Sequence, residues 1–360
     1  MVRRLASDCQ LMAGRVLVTG AGGFIGGRIV EVLHELNPGS VRAGVRRWSS
    51  AARIGRLPVE ILQCDVRSAE SVRSAMKGVT AVVHCARGDA TTNVEGTRVV
   101  LDEAQRAGVQ RVVHLSTVAV YGPQEGSVTE ASPWAPGRDP YGRSKVQTEE
   151  ICAEYGKRGL AITVLRPTIV YGPYSDLWTV EFAQRLSAGE WFLPERYTQG
   201  ICNLVYVDDV VKAVLLSLQN ESAVGQTFIV NGEERPTWNE YFHALNDALG
   251  LPPLRPASAM RSRLKAGLMM PVRKSAKFIL KRFQPIVLRV YQRSNVAKTL
   301  MRNAETAIKN SPTAAEFGLY SLPVSYEAQK AREMLGYRPA FSMRDGIELS
   351  VAWLRDHRYV

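Results

Sequence analysis

The chain is predicted to be an α/β protein: a doubly wound parallel sheet with a smaller C-terminal substrate-binding lobe. Three observations carry that expectation. Short β-branched runs alternate with amphipathic stretches through the first half, a glycine-dense turn joins the first run to a helical pattern, and the alternation becomes irregular after about residue 172. Strands that alternate with helices imply right-handed βαβ units and a parallel sheet.

The first unit is "VLVTGAGGFIGG", residues 16–27. Val16, Leu17 and Val18 read as a short buried strand, and from Phe24 to Leu36 the apolar residues Phe24, Ile25, Ile29, Val32, Leu33 and Leu36 return at helical spacing. A G-x-x-G-x-x-G alone is a weak signal, but strand, glycine turn and helix in that order form the setting in which glycines hold a pyrophosphate. Gly20 then allows the tight turn, Gly23 lets the backbone approach the ligand, and Gly26 brings the helix close to the strand, which makes the sheet Rossmann-type. Further strands are expected at "VRAGVR" (41–46), "VEILQC" (59–64), "AVVHCA" (81–86), "RVVHLS" (111–116) and "AITVLR" (161–166). Beyond them come helices at 179–188 and 209–219, a strand near "TFIVNG", a helix from Trp238 to Leu249 and a closing helix near 344–356. The expected division is a dinucleotide-binding domain over 1–172, with 200–230 contributing, and a substrate-binding lobe over 173–360 that includes the segment 255–309.

Composition narrows the function classes. With 360 residues, 46% of them hydrophobic, the chain can bury a sizeable core. Five cysteines (Cys9, Cys64, Cys85, Cys152, Cys202) show no metal or disulfide spacing, so they read as packing residues in a reducing, cytoplasmic compartment and no metal is expected. The opening "MVRRLASDCQLMAG" has no apolar h-region and no run of 18 apolar residues occurs, so neither a signal peptide nor a spanning helix is expected. The net charge of +12 is concentrated: residues 255–309 hold fourteen Lys/Arg and one acid, Glu305, which leaves the remainder at −1. Within 274–298, Ile279, Phe283, Ile286, Val287 and Val290 gather on one side of a helical wheel and Lys274, Lys277, Lys281, Arg282, Arg289 and Arg293 on the other, with Pro285 interrupting. Such a stretch suits an anionic membrane surface, giving a peripheral, membrane-associated protein; the other reading is packing on the protein itself. Sparse aromatic interleaving argues against nucleic acid.

Two places carry chemistry. After the second strand, where a carboxylate would suit the adenosine ribose, Arg46 and Arg47 stand instead; a forked guanidinium suits a 2′-phosphate and favours NADP over NAD. Asp65, in "CDV", can accept from the adenine amino group and is less well placed than Ser68 to cap the next helix. In "DPYGRSKVQTEE" (139–150), Asp139 as N-cap and Pro140 at the first position start a helix that sets Tyr141 and Lys145 on one face. An adjacent ammonium is expected to lower the phenol's pKa from its ordinary ~10 and suit the pair to proton transfer. Thr117, just past the fifth strand, is expected to hold the same substrate oxygen, in preference to its neighbour Ser116.

Taken with "NVEGT", "STVAVYG", "RPTIVYGP", "NLVYVDDV" and "AREMLGYRP", these motifs resemble, over nearly the whole chain, the extended short-chain dehydrogenase/reductase family, also described as NAD-dependent epimerases/dehydratases. The resemblance implies a catalytic triad of Thr117, Tyr141 and Lys145, with Tyr141 and Lys145 also touching the cofactor and Lys145 on the nicotinamide ribose. It places Phe24, Ile25, Val66, Cys85 and Ala86 around the dinucleotide and the backbone of Pro167, Thr168, Ile169 and Val170 against the nicotinamide, while Asn93 is structural. Departures point to the substrate. Val118 and Ala119 follow Thr117 where sugar dehydratases tend to carry Asp-Glu, and Ile169, Cys202 and Asn203 stand where epimerases tend to carry Asn, Arg and Asp. The stretch from His84 to Asn93 is also short for the family, which is expected to open the catalytic cleft. The chain looks most like the branch of 3β-hydroxysteroid dehydrogenases and dihydroflavonol reductases. The expectation is an NADP(H)-dependent oxidoreductase, with NAD as the other cofactor, acting on a secondary alcohol or ketone of a small molecule that is bulky, lipophilic or lipid-linked. A nucleotide-sugar epimerase or reductase is the alternative, and a non-catalytic dinucleotide-binding regulator the third reading. Helices flanking the sheet could pair into a homodimer.

Overall fold

A computed structural model of the chain describes residues 14–189, 195–254, 264, 267 and 313–360. Its strands are β1 (Arg15–Thr19), β2 (Val41–Val45), β3 (Glu60–Gln63), β4 (Val79–His84), β5 (Arg111–Leu115), β6 (Gly126–Val128), β7 (Ile162–Pro167), β8 (Ile169–Tyr171), β9 (Leu204–Tyr206), β10 (Thr227–Val230) and β11 (Val324–Tyr326). Seven of these form one sheet in the order β10-β7-β5-β4-β1-β2-β3, and every neighbouring pair is parallel. β2, β5 and β7 are buried along their whole length, as strands covered by helices on both faces must be, which is why they read as continuous apolar runs. The strand order reverses between β1 and β4, and ligands of such sheets bind at that switch point, past the carboxyl ends of the strands. The expected fold class and all five later strands of the first half are present.

The described chain forms two compact units. The first joins Met1–Ser175, Asn203–Arg235 and Val324–Gly346 and holds the sheet. Its three pieces are tied by charge: Asp208, in "VYVDDV", accepts two bonds from Arg28 of the first helix (2.6 and 2.9 Å), and Asp209 accepts from the Ala340 N–H (2.6 Å). Two short parallel pairs, β6 with β11 and β8 with β9, also lie in this unit; at three residues each they are too brief to show a period in the sequence.

The second unit joins Asp176–Cys202, Pro236–Pro323 and Ile347–Val360. Its helix Trp238–Leu249 lies where the sequence places it, opened by a Thr237/Glu240 capping box and closed by Gly250 at φ 73°. Trp238, Tyr241 and Phe242 pack with Phe182 and Tyr320, the Trp238 and Tyr320 centroids 4.5 Å apart. The basic segment 255–309, with the amphipathic stretch 274–298, lies outside the described residues apart from Leu264 and Gly267. Among the described residues no helix is long and apolar enough to cross a membrane, and no cluster suits a metal ion.

Candidate active site

The turn after β1 is built by glycines that leave no room for anything larger. Gly20 has φ +68°, and a Cβ there would lie 2.7 Å from the Ala86 Cα, two residues past the end of β4; at Gly26 a Cβ would collide with the Gly20 carbonyl. Gly23 differs, because a Cβ there would meet only the Gly20 carbonyl, at 3.2 Å. Gly23 caps the helix Phe24–Leu36 without a side-chain bond, so no cap side chain takes the first-turn N–H groups of Phe24, Ile25 and Gly26 above the bare glycine backbone. That cradle fits a dinucleotide diphosphate by shape and by the positive end of the helix dipole.

Around the cradle, Arg46 and Arg47 lie just past β2, exposed, and neither guanidinium has an ion-pair partner among the described residues. Asp65 follows β3, and Ser68, not Asp65, caps the next helix by accepting from the Ser71 N–H (3.3 Å). The Asp65 carboxylate accepts two bonds from the Arg67 guanidinium (2.9 and 3.2 Å), which hold it below its ordinary pKa; an adenine amino group there meets a competitor. Val66 is buried against Gly96, and the Cys85 N–H donates to the Thr19 carbonyl (3.2 Å) beside Ala86.

Asp139 caps the helix Pro140–Lys157 through the N–H groups of Tyr141 and Gly142 (3.1 and 2.9 Å), with Pro140 at the first position. Thr117 follows β5 and opens the turn Val118–Tyr121, accepting from the Ala119 N–H (3.2 Å), and its hydroxyl lies near enough to the Tyr141 phenol to favour the phenolate. Gly142 makes this meeting possible, because a Cβ there would sit 2.7 Å from the Ala119 carbonyl. Ser116 is engaged elsewhere: its buried hydroxyl donates to Glu149, which leaves Thr117 as the hydroxyl beside Tyr141. Lys145 is buried and its Nζ donates to the Leu115 carbonyl (2.6 Å).

The electrostatics differ from the expectation in one respect. Burial raises the Tyr141 phenol above its ordinary value, and the groups that oppose this are the Arg87 guanidinium and the Thr117 hydroxyl, not Lys145, whose ammonium is turned to the Leu115 carbonyl. Burial also pulls Lys145 down from 10.5 to about 8. His84 is pushed down to about 3 by burial and by Lys145, and His114 well below its ordinary value, so both rings stay neutral. They lie 5.3 Å apart, His84 between the Thr19 and Thr97 hydroxyls (2.7 and 3.1 Å) and His114 on Thr148 (3.2 Å).

A depressed lysine pKa is a stability statement. Between pH 8 and 10.5 the folded chain has lost the proton that the unfolded chain keeps, so this group makes stability rise with pH across that window and costs stability below it. The full cost is on the order of 3 kcal/mol, and losing the bond to the Leu115 carbonyl returns about 1 kcal/mol of it. Lys145→Met is therefore expected to be inactive, yet about 1–2 kcal/mol more stable than wild type at pH 7, with the difference shrinking toward pH 10.5. Urea denaturation at several pH values checks this; a variant less stable at pH 7 would contradict it.

Residues 16–231 match the NAD dependent epimerase/dehydratase family. The chain belongs to that family. It is an enzyme of the extended short-chain dehydrogenase/reductase type and its cofactor is a nicotinamide dinucleotide. Among curated relatives, sterol demethylase protein B of Methylococcus capsulatus is 34% identical over 71% of this chain and 80% of its own length. A 3beta-hydroxysteroid-dehydrogenase/decarboxylase of Arabidopsis thaliana (isoform 2) is 24% identical over 93% of this chain and 61% of its own. Among solved structures, the dTDP-glucose 4,6-dehydratase DesIV of Streptomyces venezuelae with NAD bound superposes with a TM-score of 0.70 at 25% identity, covering 96% of this chain and 98% of that one.

Other residues of this family member are placed as follows. Asn93 joins two elements, its amide donating to Ser144 (3.0 Å) and its carbonyl oxygen accepting from the Gly88 N–H (2.9 Å), while Ser144 donates to the Tyr141 carbonyl (2.8 Å). Pro167 ends β7, and Ile169 and Val170 lie in β8. The N–H groups of Thr168 and Ile169 are spent on the carbonyls of Val230 and Asn203, and the Thr168 hydroxyl bonds Asn231, so this stretch offers a nicotinamide its apolar surface rather than donors. Three features escaped the sequence reading. Gly142 could have been suspected from its place beside Tyr141. The buried Glu149–Arg166 pair (2.6 Å) gives no sign in a strand that reads as apolar. Arg87, whose guanidinium carbon lies 4.9 Å from the Tyr141 ring centroid, sits in a loop with no motif.

Proposed function

We propose that this enzyme is an NADP(H)-dependent oxidoreductase acting on a secondary alcohol or ketone of a bulky, lipophilic small molecule, with a sterol as the first compound to try. One observation carries the choice over nucleotide-sugar chemistry: the positions where nucleotide-sugar enzymes of this family tend to carry dehydrating or sugar-gripping polar groups offer none free to act. Val118 and Ala119 follow Thr117, Cys202 is fully buried, and Asn203 spends its side chain on the Val324 carbonyl and the Tyr326 N–H (2.9 and 3.1 Å). A dianionic, heavily hydroxylated substrate needs charge-assisted hydrogen bonds at such places. The similarity to sterol-transforming proteins supports the same choice.

In this reading the cradle at Gly20, Gly23 and Gly26 holds the diphosphate, Lys145 the nicotinamide ribose, and the bound nicotinamide supplies hydride chemistry. During oxidation Tyr141, as the phenolate, would accept the substrate hydroxyl proton and become the phenol, and during reduction the phenol would return that proton. Thr117 donates to the same substrate oxygen and so fixes it against Tyr141. Arg46 and Arg47, exposed and in no close ion pair among the described residues, although Arg46 feels the Asp65 and Asp89 carboxylates, would meet the 2′-phosphate.

Replacing both arginines with alanine is expected to weaken NADPH roughly ten- to a hundredfold and NADH less than about threefold; equal losses would contradict NADP selectivity. The reading as a whole is tested with a panel of hydroxysteroids and ketosteroids against UDP- and dTDP-sugars, following NADP(H) absorbance and sugar interconversion. Steroid-dependent NADP(H) turnover supports it, and epimerisation of a nucleotide sugar without net cofactor change overturns it. The second reading, a nucleotide-sugar or lipid-linked sugar epimerase, has its support in the 27% identity to N-acetyl-alpha-D-glucosaminyl-diphospho-ditrans,octacis-undecaprenol 4-epimerase of Escherichia coli O157:H7. The proposal extends to a cytoplasmic enzyme that touches an anionic leaflet through 274–298. Sedimentation with vesicles of graded anionic-lipid content, lost on deleting 274–298, would support that contact, and no co-sedimentation would end it.

A further inference from the structure

A cavity of about 430 Å³ opens on β10, the edge strand of the sheet. Its size lies within the roughly 300–1,000 Å³ of small-molecule sites, and none of its lining residues belongs to the glycine cradle or to the group Thr117, Tyr141 and Lys145. Thr129 and Glu130 line it from the stretch after β6, Gln226 and Thr227 from the start of β10, Arg166 from β7 and Lys330 from the helix Gln329–Leu335, all within the first unit. Two opposite charges border this space without pairing. Lys330 makes no hydrogen bond or ion pair among the described residues; its Nζ stands 5.3 Å from the Phe228 ring centroid, and burial pulls the ammonium below its ordinary value against the opposing effect of Glu130. Glu130 gives one carboxylate oxygen to the Ile229 N–H (2.7 Å) and leaves the other unclaimed among the described residues. The Gln226 amide and the hydroxyls of Thr129 and Thr227 are unclaimed in the same sense. Arg166 adds no free charge, since Glu149 holds its guanidinium.

We propose that this cavity binds a free α-amino acid, its carboxylate on Lys330 and its ammonium on Glu130. A ligand with a negative charge alone would bring that charge to the Glu130 carboxylate as well as to Lys330, and a ligand with a positive charge alone would set it beside Lys330. A small zwitterion meets both walls with charge-assisted hydrogen bonds and leaves neither ion of the protein uncompensated. The Gln226 amide and the two threonine hydroxyls then serve the ligand's side chain, which favours a small polar amino acid such as serine. The site uses neither the substrate nor the nicotinamide, so it stands whichever reaction the enzyme catalyses.

The probes are the standard α-amino acids, offered to the whole chain at about 10 mM and followed by saturation-transfer NMR. At least one small polar member, with serine the first expected, should bind with a Kd of about 1 mM or tighter. Its decarboxylated and deaminated forms, for serine ethanolamine and 3-hydroxypropionate, should each bind at least about tenfold more weakly. Lys330→Met and Glu130→Gln should each raise that Kd about tenfold or more. Both changes keep the side chain's shape, and glutamine keeps an acceptor for the Ile229 N–H. An unchanged Kd for the nicotinamide dinucleotide shows that each variant is folded; should one fail to fold, the other decides. Tyr141→Phe should bind the amino acid as wild type does, which places the ligand outside the active site. No binding by any α-amino acid, equal binding of a form that keeps one charge, binding that survives Lys330→Met and Glu130→Gln, or binding lost in Tyr141→Phe would each overturn the proposal.

Discussion

Tyr141→Phe is expected to lower kcat by about a thousandfold or more, the scale on which a positioned acid–base group contributes, while the Kd for NADP(H) stays within about threefold. The hydroxyl is what the mutation removes, and the ring that Arg87 covers remains. Thr117 keeps its place as cap of the Val118–Tyr121 turn, since its bond to the Ala119 N–H does not involve Tyr141. Loss of turnover with cofactor binding preserved identifies a proton-transfer residue. Comparable losses in both would instead mean that Tyr141 serves binding, and retained turnover would remove it from the chemistry. In the cofactor-free wild type, the same phenol is expected to titrate above the ordinary tyrosine value, because burial outweighs Arg87 and Thr117; ultraviolet difference titration against Tyr141→Phe reads this directly.

The largest stability effect is expected at Glu149. Its carboxylate takes the Ser116 hydroxyl on one side and the Arg166 guanidinium on the other, with Arg166 Nε at 3.0 and 3.1 Å and its terminal nitrogen at 2.6 Å. Both side chains of the pair are only 3% exposed. Glu149→Ala strands a buried guanidinium and should destabilise the fold by about 3–5 kcal/mol. A double replacement of Glu149 and Arg166 by methionine should recover a large part of that, because it removes the uncompensated charge as well as the pair. Urea denaturation checks both; a single variant that loses less than about 1 kcal/mol would show that Arg166 finds another partner. Arg166 also donates to the Tyr121 hydroxyl, so the pair braces both ends of the Ser116–Tyr121 turn that carries Thr117.

The parts of this enzyme that were legible in its sequence are those whose physics is local. β2, β4, β5 and β7 announce themselves because strands buried on both faces must be apolar throughout, and the Pro140–Lys157 helix because Asp139 and Pro140 mark its start. The glycine turn was legible because Gly20 needs a positive φ and Gly26 needs the absence of a Cβ, and both needs leave a trace in residue type. What stayed hidden depends on residues far apart in the chain. Nothing near Glu149 says that Arg166 will lie against it, and nothing near Arg87 says that β4 and the Asn93 helix will hold it over Tyr141. The expected effect of Lys145 on Tyr141 misled for a related reason. Four residues on a helix put the two on one face, but the Leu115 carbonyl, thirty residues earlier, takes the ammonium.

The central claim is that this enzyme moves a hydride between its cofactor and its substrate, and isotope transfer tests it most directly. Wild-type enzyme is supplied with NADPH deuterated at the transferable position of the nicotinamide and with a ketosteroid, and the product alcohol is analysed by mass spectrometry. The prediction is one deuterium on the carbinol carbon, transferred to a single face, with Tyr141→Phe forming that product at least about a thousandfold more slowly. A ketosteroid that is not reduced, together with a nucleotide sugar that is epimerised while the deuterium stays in the cofactor, would contradict it.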